Sequence, residues 1–459
     1  MIRLTVKRCL QQSVLAIGLA TTPLAAWSET LADALIHAYN HSGLLDQQRA
    51  LLRVADEDVA QAVAALKPVL SYSASVTASR NAGPGDEWDT SSSVGLTADL
   101  LLYDSYASAY GQIVAKELVL ATRQALIDAE QSILLDAVEA YMGVRNATAV
   151  VGLRNSNVRV IGRELEAARD RFEVGEVTRT DVALAEARLA SARSQLSAAK
   201  GQLAISKETF YRDVGRRPGK LQPAPKPPAL AKSEEAAKRY AVQFHPSVKE
   251  AQRNVTAAEF RIAQAKANIR PKVRLRGEMA VDEFMNGSES IRLSVTGPIY
   301  SGGELASLVR QQAARRDASR ASLHLATHVV RQNVGNAYAS LSTAIASKKA
   351  FAEQVRAARV AFRGVREEAT LGARTTLDVL DAEQELLDAQ TSLISAEIDE
   401  TVARYTVLST MGLMTAEHLK LGVRSYDPEA YYNLVKTAPA SKSKQGQQLD
   451  RVLKALGKQ

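Results

Sequence analysis

The sequence has 459 residues, of which 46% are hydrophobic and only 5% are aromatic, and its formal net charge is +8. That length suits two or three ordinary domains or one elongated domain. The cationic excess is mild and dispersed, so it does not indicate a nucleic-acid-binding protein. Long stretches rich in Ala, Leu, Gln, Glu and Arg are typical of extended helices packed through small residues.

Residues 1–28 have the pattern of a secretion signal peptide. A basic start precedes an apolar run at 14–20, and small residues end the segment at Ala26-Trp27-Ser28. The single cysteine, Cys9, falls in this leader, so the processed chain is predicted to lack disulfides and thiolate metal sites. No later apolar run approaches the roughly 18 residues of a membrane helix. The chain is therefore either soluble beyond the inner membrane or a β-barrel protein.

Proline positions divide the chain. No proline occurs at 85–217 or at 299–427, and both stretches are predicted to be helix-rich because proline disrupts helix interiors. Between them, a Pro-rich linker is predicted at 218–245. It separates a first structural repeat, 29–217, from a second, 246–425. The remaining residues, 426–459, are basic and Gln-rich and are predicted to form a flexible tail.

Strict alternation of apolar and polar residues predicts four strands. In the first repeat they lie at 69–79 and 91–101, and in the second at 272–282 and 290–299. The fold class expected is therefore mainly α, with a pair of β-hairpins and long α-helical hairpins. The helix at 104–173 would be about 105 Å long, and the shorter helices at 44–66 and 179–214 would together nearly match it.

The two halves share a fixed offset. Gly175 and Gly372 are 197 residues apart, as are Asp181 and Asp378. The same offset relates Tyr141 to Tyr338 and Gly215 to Gly412. Self-similarity of this kind indicates a tandem repeat, and each glycine of the first pair is predicted to mark the turn of a helical hairpin.

Each predicted strand has about the length that spans an outer membrane when tilted. A sheet edge cannot lie open in lipid, and four strands are too few to close a barrel. Several chains must then pool their strands, eight in a dimer or twelve in a trimer. Charged residues on the polar strand face predict a water-filled lumen: Arg274, Arg276, Glu278, Asp282 and Arg292. The alternative is a pair of soluble hairpins with one solvated face.

The segment around Gly372, Gly-Ala-Arg-Thr-x-x-Asp-Val-Leu-Asp-Ala, resembles the TolC family of outer-membrane channels. Further similarity lies in Glu29-Thr-Leu, in the motif from Gly297 to Gly303 and in the tandem repeat, and it covers about residues 29–425. The resemblance implies a homotrimer with a twelve-stranded barrel in the outer membrane and a helical tunnel in the periplasm. It also implies a passive exit duct for type I protein secretion or multidrug efflux. The implied partners are a periplasmic membrane-fusion adaptor and an inner-membrane ABC or proton-driven exporter.

The resemblance also assigns roles to residues near the two turns. Asp378 and Asp381 match carboxylates that ring a periplasmic gate. Arg374 matches an arginine that links neighbouring helices, and Thr180 and Asp181 match its partners. A linking tyrosine of the family is replaced here by Ala369. The turns at Gly175 and Gly372 are the expected docking surface for the adaptor.

Simpler interpretations of these residues stay open from spacing alone. Paired acids usually lie on a solvated helix face, Arg374 has the position of a helix-end residue, and Thr180-Asp181 suits a helix N-cap. His324 and His328 have chelating i, i+4 spacing but no third ligand, so no metal and no cofactor are expected, and no catalytic constellation is present. The alternative function is a periplasmic coiled-coil scaffold or adaptor without a pore.

Overall fold

A computed structural model of the chain describes residues 28–80, 88–225, 228–231, 233–424 and 426–455. The predicted signal peptide, apart from Ser28, lies outside the described residues. Within the described ranges, no helix combines the length and apolarity that crossing a membrane would require.

The order of helices and strands repeats along the chain. The first series is α1 (Leu31–His41), α2 (Gly43–Ala64), β1 (Val69–Ser79), β2 (Asp89–Tyr103), α3 (Ala107–Glu173) and α4 (Arg179–Val214). The second is α5 (Glu234–Phe244), α6 (Pro246–Asn268), β3 (Lys272–Asp282), β4 (Gly287–Thr296), α7 (Glu304–Thr370) and α8 (Thr376–Thr410). The predicted class, mainly α with a pair of β-hairpins, is confirmed.

The two long helices, α3 and α7, both contain 67 residues. Their shorter partners, α4 and α8, contain 36 and 35 residues. The helices at equivalent places in the two repeats have nearly the same length, so the tandem repeat covers whole helices and not only individual residues.

The four strands form one antiparallel sheet in the order β1-β2-β3-β4. Register places Tyr72 opposite Leu96, and Leu96 opposite Met279, so one face carries large apolar side chains. Most side chains on the other face are polar or charged, with Asp99 opposite Arg276. The sheet thus has the two-faced character that strict alternation indicated.

The bounds of two strands differ from the predicted ones. β2 runs from Asp89 to Tyr103, two residues longer at each end than predicted. β4 begins at Gly287 and ends at Thr296, before the predicted end at residue 299. Pro298 has no backbone N–H to donate to the sheet, and Gly297 packs against Pro271, where an added Cβ would lie 3.0 Å from the Pro271 Cα atom.

By compactness the chain divides into two units. The helical unit contains Asp136–Pro227, Ala344–Val402 and the chain up to His41. The sheet unit contains Ser42–Leu135, Pro228–Thr343 and the chain from Ala403 onward. Each unit takes segments from both repeats.

The C-terminal segment, predicted to be a flexible tail, contains two helices. It forms α9 (Pro428–Val435) and α10 (Lys444–Ala455). Tyr431 and Val435 of α9 pack with Ala60 of α2, and the Tyr431 hydroxyl donates to Glu57 Oε1 at 2.6 Å. The lysines and glutamines that dominate the composition conceal the few apolar residues that fix this segment in place. Its last residues, 456–459, lie outside the described part of the chain.

Beside this contact α2 buries an acidic side chain. Asp56 is fully buried, and neither of its carboxylate oxygens has a hydrogen-bond partner within the described residues. Burial raises the pKa of Asp56 to about 7, against the opposing attraction of Arg123. The Arg123 guanidinium itself donates to Glu429 of α9 at 3.2 Å.

Candidate functional site at the two helix turns

Both hairpin turns of the helical unit have the same backbone motif. At the first, the Gly175 N–H donates to the Phe172 carbonyl at 3.0 Å, and the Glu176 N–H donates to the Arg171 carbonyl at 2.8 Å. The same two bonds recur 197 residues later, around Gly372. These bonds define a Schellman motif, which needs a left-handed residue after the helix. Glycine supplies it, with φ of +83° and +78°.

Each following helix begins with a capping box. The Thr178 N–H donates to Asp181 Oδ2 at 2.8 Å, and the Asp181 N–H donates back to Thr178 Oγ1 at 3.3 Å. In the second turn Thr375 and Asp378 exchange the equivalent bonds at 2.9 and 3.2 Å. Hydrogen bonds from the threonine side chain and backbone lower the pKa of Asp181. The pKa of Asp378 is lowered by the backbone and side chain of Thr375.

The N-cap of α4 is therefore Thr178, not the Thr180-Asp181 pair that the sequence suggested. Thr178 takes this position because Asp181 lies three residues after it and closes the box. Thr180 is exposed in the first helical turn. Both turns nevertheless carry an ionised carboxylate at the start of a helix, where the helix dipole also favours negative charge.

The two turns line one cleft of about 830 Å³. Asp181 lines it from the first turn, and Gly372, Arg374 and Thr375 line it from the second. Predicted link residues thus share a cleft although nearly 200 residues of chain separate them.

Within the chain, however, Arg374 pairs with an acid of its own turn. Its Nε donates to Glu368 Oε2 at 2.9 Å, and this pair raises the pKa of Arg374. The Asp181 carboxylate accepts from Thr178, as described above. This chain does not show the predicted link from Arg374 to Thr180 and Asp181 of a neighbouring helix, and the link stays a prediction.

Asp381 takes part in a pair that sequence reasoning missed. Arg188 of α4 donates to Asp381 Oδ1 of α8 at 2.6 Å. Their side chains are 44% and 56% exposed, so the pair is screened by solvent. Sequence spacing does not reveal this pair, because the two residues come from different repeats. It joins the two helical hairpins and places a cation beside the predicted ring carboxylate.

A buried acidic side chain lies two residues after Asp381 on α8. Glu383 of α8 is 8% exposed, and its Oε1 accepts from Asn157 Nδ2 of α3 at 3.1 Å. Burial is the main cause that raises the pKa of Glu383 to about 7, and Glu164 adds to it. Glu164 is paired with Arg366 at 3.6 Å.

Ala369 is buried at the end of α7, with 8% of its surface exposed. Its carbonyl accepts from the Gly372 N–H, so this position contributes backbone to the turn. The Ala369 side chain therefore offers a methyl group and no hydrogen bond.

The predicted lumen charges lie in the sheet unit. Arg276 Nε donates to Asp99 Oδ1 at 2.7 Å across β2 and β3. Arg274 and Glu278 are exposed on the same face, and register places Arg292 directly opposite Arg276. Asp282 instead supports the β3–β4 turn, where its carboxylate accepts from the backbone of residues 284 and 286.

Two histidines on α7 approach each other, with the Nε2 atoms of His324 and His328 3.2 Å apart. Across the part of the chain that the structure describes, no three His, Cys, Asp or Glu side chains come close enough together to hold a metal ion.

A single sheet of two β-hairpins, joined in one chain to two long helical hairpins, defines a channel subunit of the outer membrane. The chain belongs to the outer membrane efflux protein family, whose model matches residues 37–216 and 239–413. The predicted resemblance to the TolC family and the predicted outer-membrane location are confirmed. The protein is an efflux or secretion channel.

Individual relatives support this assignment. The chain is 35% identical over 437 residues to the outer membrane efflux protein BepC of Brucella suis, covering 94% of this chain and 95% of BepC. It is 25% identical over 436 residues to the outer membrane protein TolC of Escherichia coli, covering 88% and 86%. A crystal structure of CusC has the same fold, with a TM-score of 0.74 at 18% identity, over 84% of this chain and 92% of CusC.

Proposed function

We propose that three copies of this chain assemble into a passive duct through the outer membrane. Each copy contributes four strands to a twelve-stranded barrel, and the helical hairpins continue as a tunnel in the periplasm. The duct performs no catalysis. An inner-membrane ABC or proton-driven exporter supplies the energy, and a periplasmic adaptor connects the exporter to the duct.

The observation that carries this proposal is the open sheet. Among the described residues, β1 and β4 each pair with a neighbour on one side only. Their outer edges expose unpaired backbone groups, which lipid does not tolerate. Antiparallel pairing of β4 with β1 of the next copy removes both edges, and three copies give a barrel within the known size range.

The apolar face of the sheet supports a lipid environment. Leu70, Tyr72 and Ile291 are 82%, 84% and 85% exposed in the single chain. A soluble sheet would cover such a row with a helix or a second sheet. In the proposed barrel these side chains contact lipid, and the opposite, charged face lines the lumen.

The turns form the proposed gate. Three copies convert Asp378 and Asp381 into two rings of carboxylates, which attract cations in a narrow pore. Arg374 links to Thr180 and Asp181 of a neighbouring helix and holds the rings closed. The adaptor docks at the turns, where Val174 and Leu371 beside the two glycines are 71% and 85% exposed.

The proposal is tested by extraction of the full chain from outer membranes in mild detergent. We expect a trimer that dissociates on heating and that forms ion-conducting pores in planar lipid bilayers. A monomer that stays in aqueous buffer and forms no pores would instead support the alternative, a periplasmic scaffold. Affinity capture after crosslinking in cells then identifies the exporter and with it the class of cargo.

A pair of variants separates the two candidate partners of Arg374. Arg374→Ser removes the proposed link and is expected to raise the resting conductance about two- to fivefold, the range that one exposed ion pair supports. Glu368→Gln removes only the partner within the same turn, so the conductance of this variant should stay at the resting value. Equal conductance of Arg374→Ser and the unmodified protein would remove Arg374 from the lock. A rise with Glu368→Gln would assign the lock to the pair within the turn.

A further inference from the structure

The charged face of the sheet is not electrically uniform. Cationic side chains are concentrated in the half of the sheet at which the strands join the helices. In each chain this half has four cationic side chains and two carboxylates. The cations are Lys272, Arg274, Arg276 and Arg292, and the carboxylates are Asp99 and Glu278. This set is called the arginine band below.

Within the arginine band only one cation has a close carboxylate. Arg276 is paired with Asp99 at 2.7 Å. Register nevertheless places Arg292 directly opposite Arg276, and like charges in that position repel each other. Arg274 lies between Leu101 and Ser294. Within the ranges that the structure describes, neither Arg274 nor Arg292 has a side-chain hydrogen bond or an ion pair.

Assembly of the barrel does not supply the missing carboxylates. Arg292 is on β4, whose outer neighbour in the proposed trimer is β1 of the next copy. β1, with the sequence VLSYSASVTAS, contains no charged residue. Arg292 therefore gains no carboxylate from that strand whatever register the two copies adopt. Among the residues that the structure describes, Glu278 is the one acid left near Arg274 and Arg292 in each chain.

We propose that the arginine band binds polyvalent oxyanions, such as compounds that carry several phosphate groups, in the lumen of the barrel. Guanidinium groups bind phosphate oxygens through two parallel N–H···O bonds, and three copies bring the six guanidinium groups of Arg274 and Arg292 to adjacent levels of the pore. This inference rests on the proposed trimer. The duct then has two binding zones of opposite sign, the carboxylate rings at the turns and the arginine band in the barrel.

The test measures block of the pore by sodium tripolyphosphate in planar bilayers. In the unmodified protein we expect a concentration-dependent block that weakens as salt is raised. Arg274→Ser/Arg292→Ser is expected to raise the half-blocking concentration at least about tenfold, the smallest effect typical of a focused charge cluster. Lys442→Ser/Lys444→Ser, which removes two exposed cations from the C-terminal segment, is the charge-matched control and should leave the half-blocking concentration unchanged.

The outcomes separate this inference from the proposed function. Pores that tripolyphosphate does not block, or blocks equally in the unmodified protein and the serine variant, overturn the arginine band and leave the duct intact. Absence of pores overturns both. If the serine variant does not assemble, Arg274→Lys/Arg292→Lys retains the charge but loses the two-point contact. It should raise the half-blocking concentration by a smaller factor, and no rise would contradict the inference.

Discussion

Asp378→Asn/Asp381→Asn is expected to weaken block of the pore by multivalent cations about tenfold or more, since a cleft lined by one sign of charge concentrates counter-ions at least that much. Hydrogen bonds from Thr375 lower the pKa of Asp378, so this carboxylate is ionised throughout the neutral pH range. Asparagine keeps a side-chain oxygen that can accept the Thr375 N–H bond, so the helix start is retained. The measurement is the half-blocking concentration of a trivalent cation in planar bilayers, together with the reversal potential in a salt gradient.

The control for this variant removes two other negative charges from the same helix. Glu385→Gln/Asp388→Asn alters exposed residues of α8 one to two turns farther from the turn, and it should leave the half-blocking concentration nearly unchanged. Equal effects of the two double variants would show that negative charge along the helix, not two rings, attracts the cations.

Substitution of Arg188, the partner of Asp381, is expected to change cation block in the direction opposite to substitution of the two aspartates. Arg188 lies 2.6 Å from Asp381 and offsets part of its negative charge. If Asp381 faces the pore, Arg188→Gln should strengthen block by the trivalent cation. If the pair only joins the two hairpins, Arg188→Gln should raise the resting conductance without a stronger block. This comparison distinguishes a pore charge from a structural bridge.

The parts of this site that could be predicted from sequence are those formed by residues close together along the chain. The turn glycines follow local rules, and the fixed offset of 197 residues identifies both. The cap of α4 was expected at Thr180-Asp181, whereas Thr178 occupies it. The pairing of Arg188 with Asp381 depends on how α4 and α8 pack, which no local pattern encodes. Arg374 lies close to Glu368 because the Schellman turn reverses the chain. Spacing alone does not reveal this geometry.

The fold shows the same division. Alternation with a period of two predicted the strands and which residues share a face, and Pro298 gives a physical reason why β4 ends early. The C-terminal helices were not predicted because lysine and glutamine dominate the composition of this segment, which has few apolar residues besides two tyrosines and a valine. Burial of Asp56 was equally invisible, since acidic residues on a helix usually face solvent.

Gly215→Ala is expected to be the most destabilising of the glycine-to-alanine changes at the C-terminal ends of helices. Gly215 ends α4 in the left-handed region, with φ of +83°, and its N–H donates to the Tyr211 carbonyl. An L side chain there costs about 1–2 kcal/mol. The added Cβ would also overlap the imidazole of His41, and the His41 Cβ would be 2.8 Å away, so rotation of the ring cannot relieve the contact. Overpacking of this kind adds about 1–3 kcal/mol.

Two other glycines provide graded controls for this prediction. Gly412, the equivalent residue in the second repeat, has φ of +81°, and an added Cβ would lie 3.2 Å from Pro246 Cδ, a tight but not overlapping contact. Gly175 has φ of +83° and no atom within 4 Å of an added Cβ. Unfolding temperatures of the purified proteins should therefore fall least for Gly175→Ala, more for Gly412→Ala and most for Gly215→Ala. Equal losses in all three would mean that backbone conformation alone sets the cost, and that α1 can move away from the end of α4.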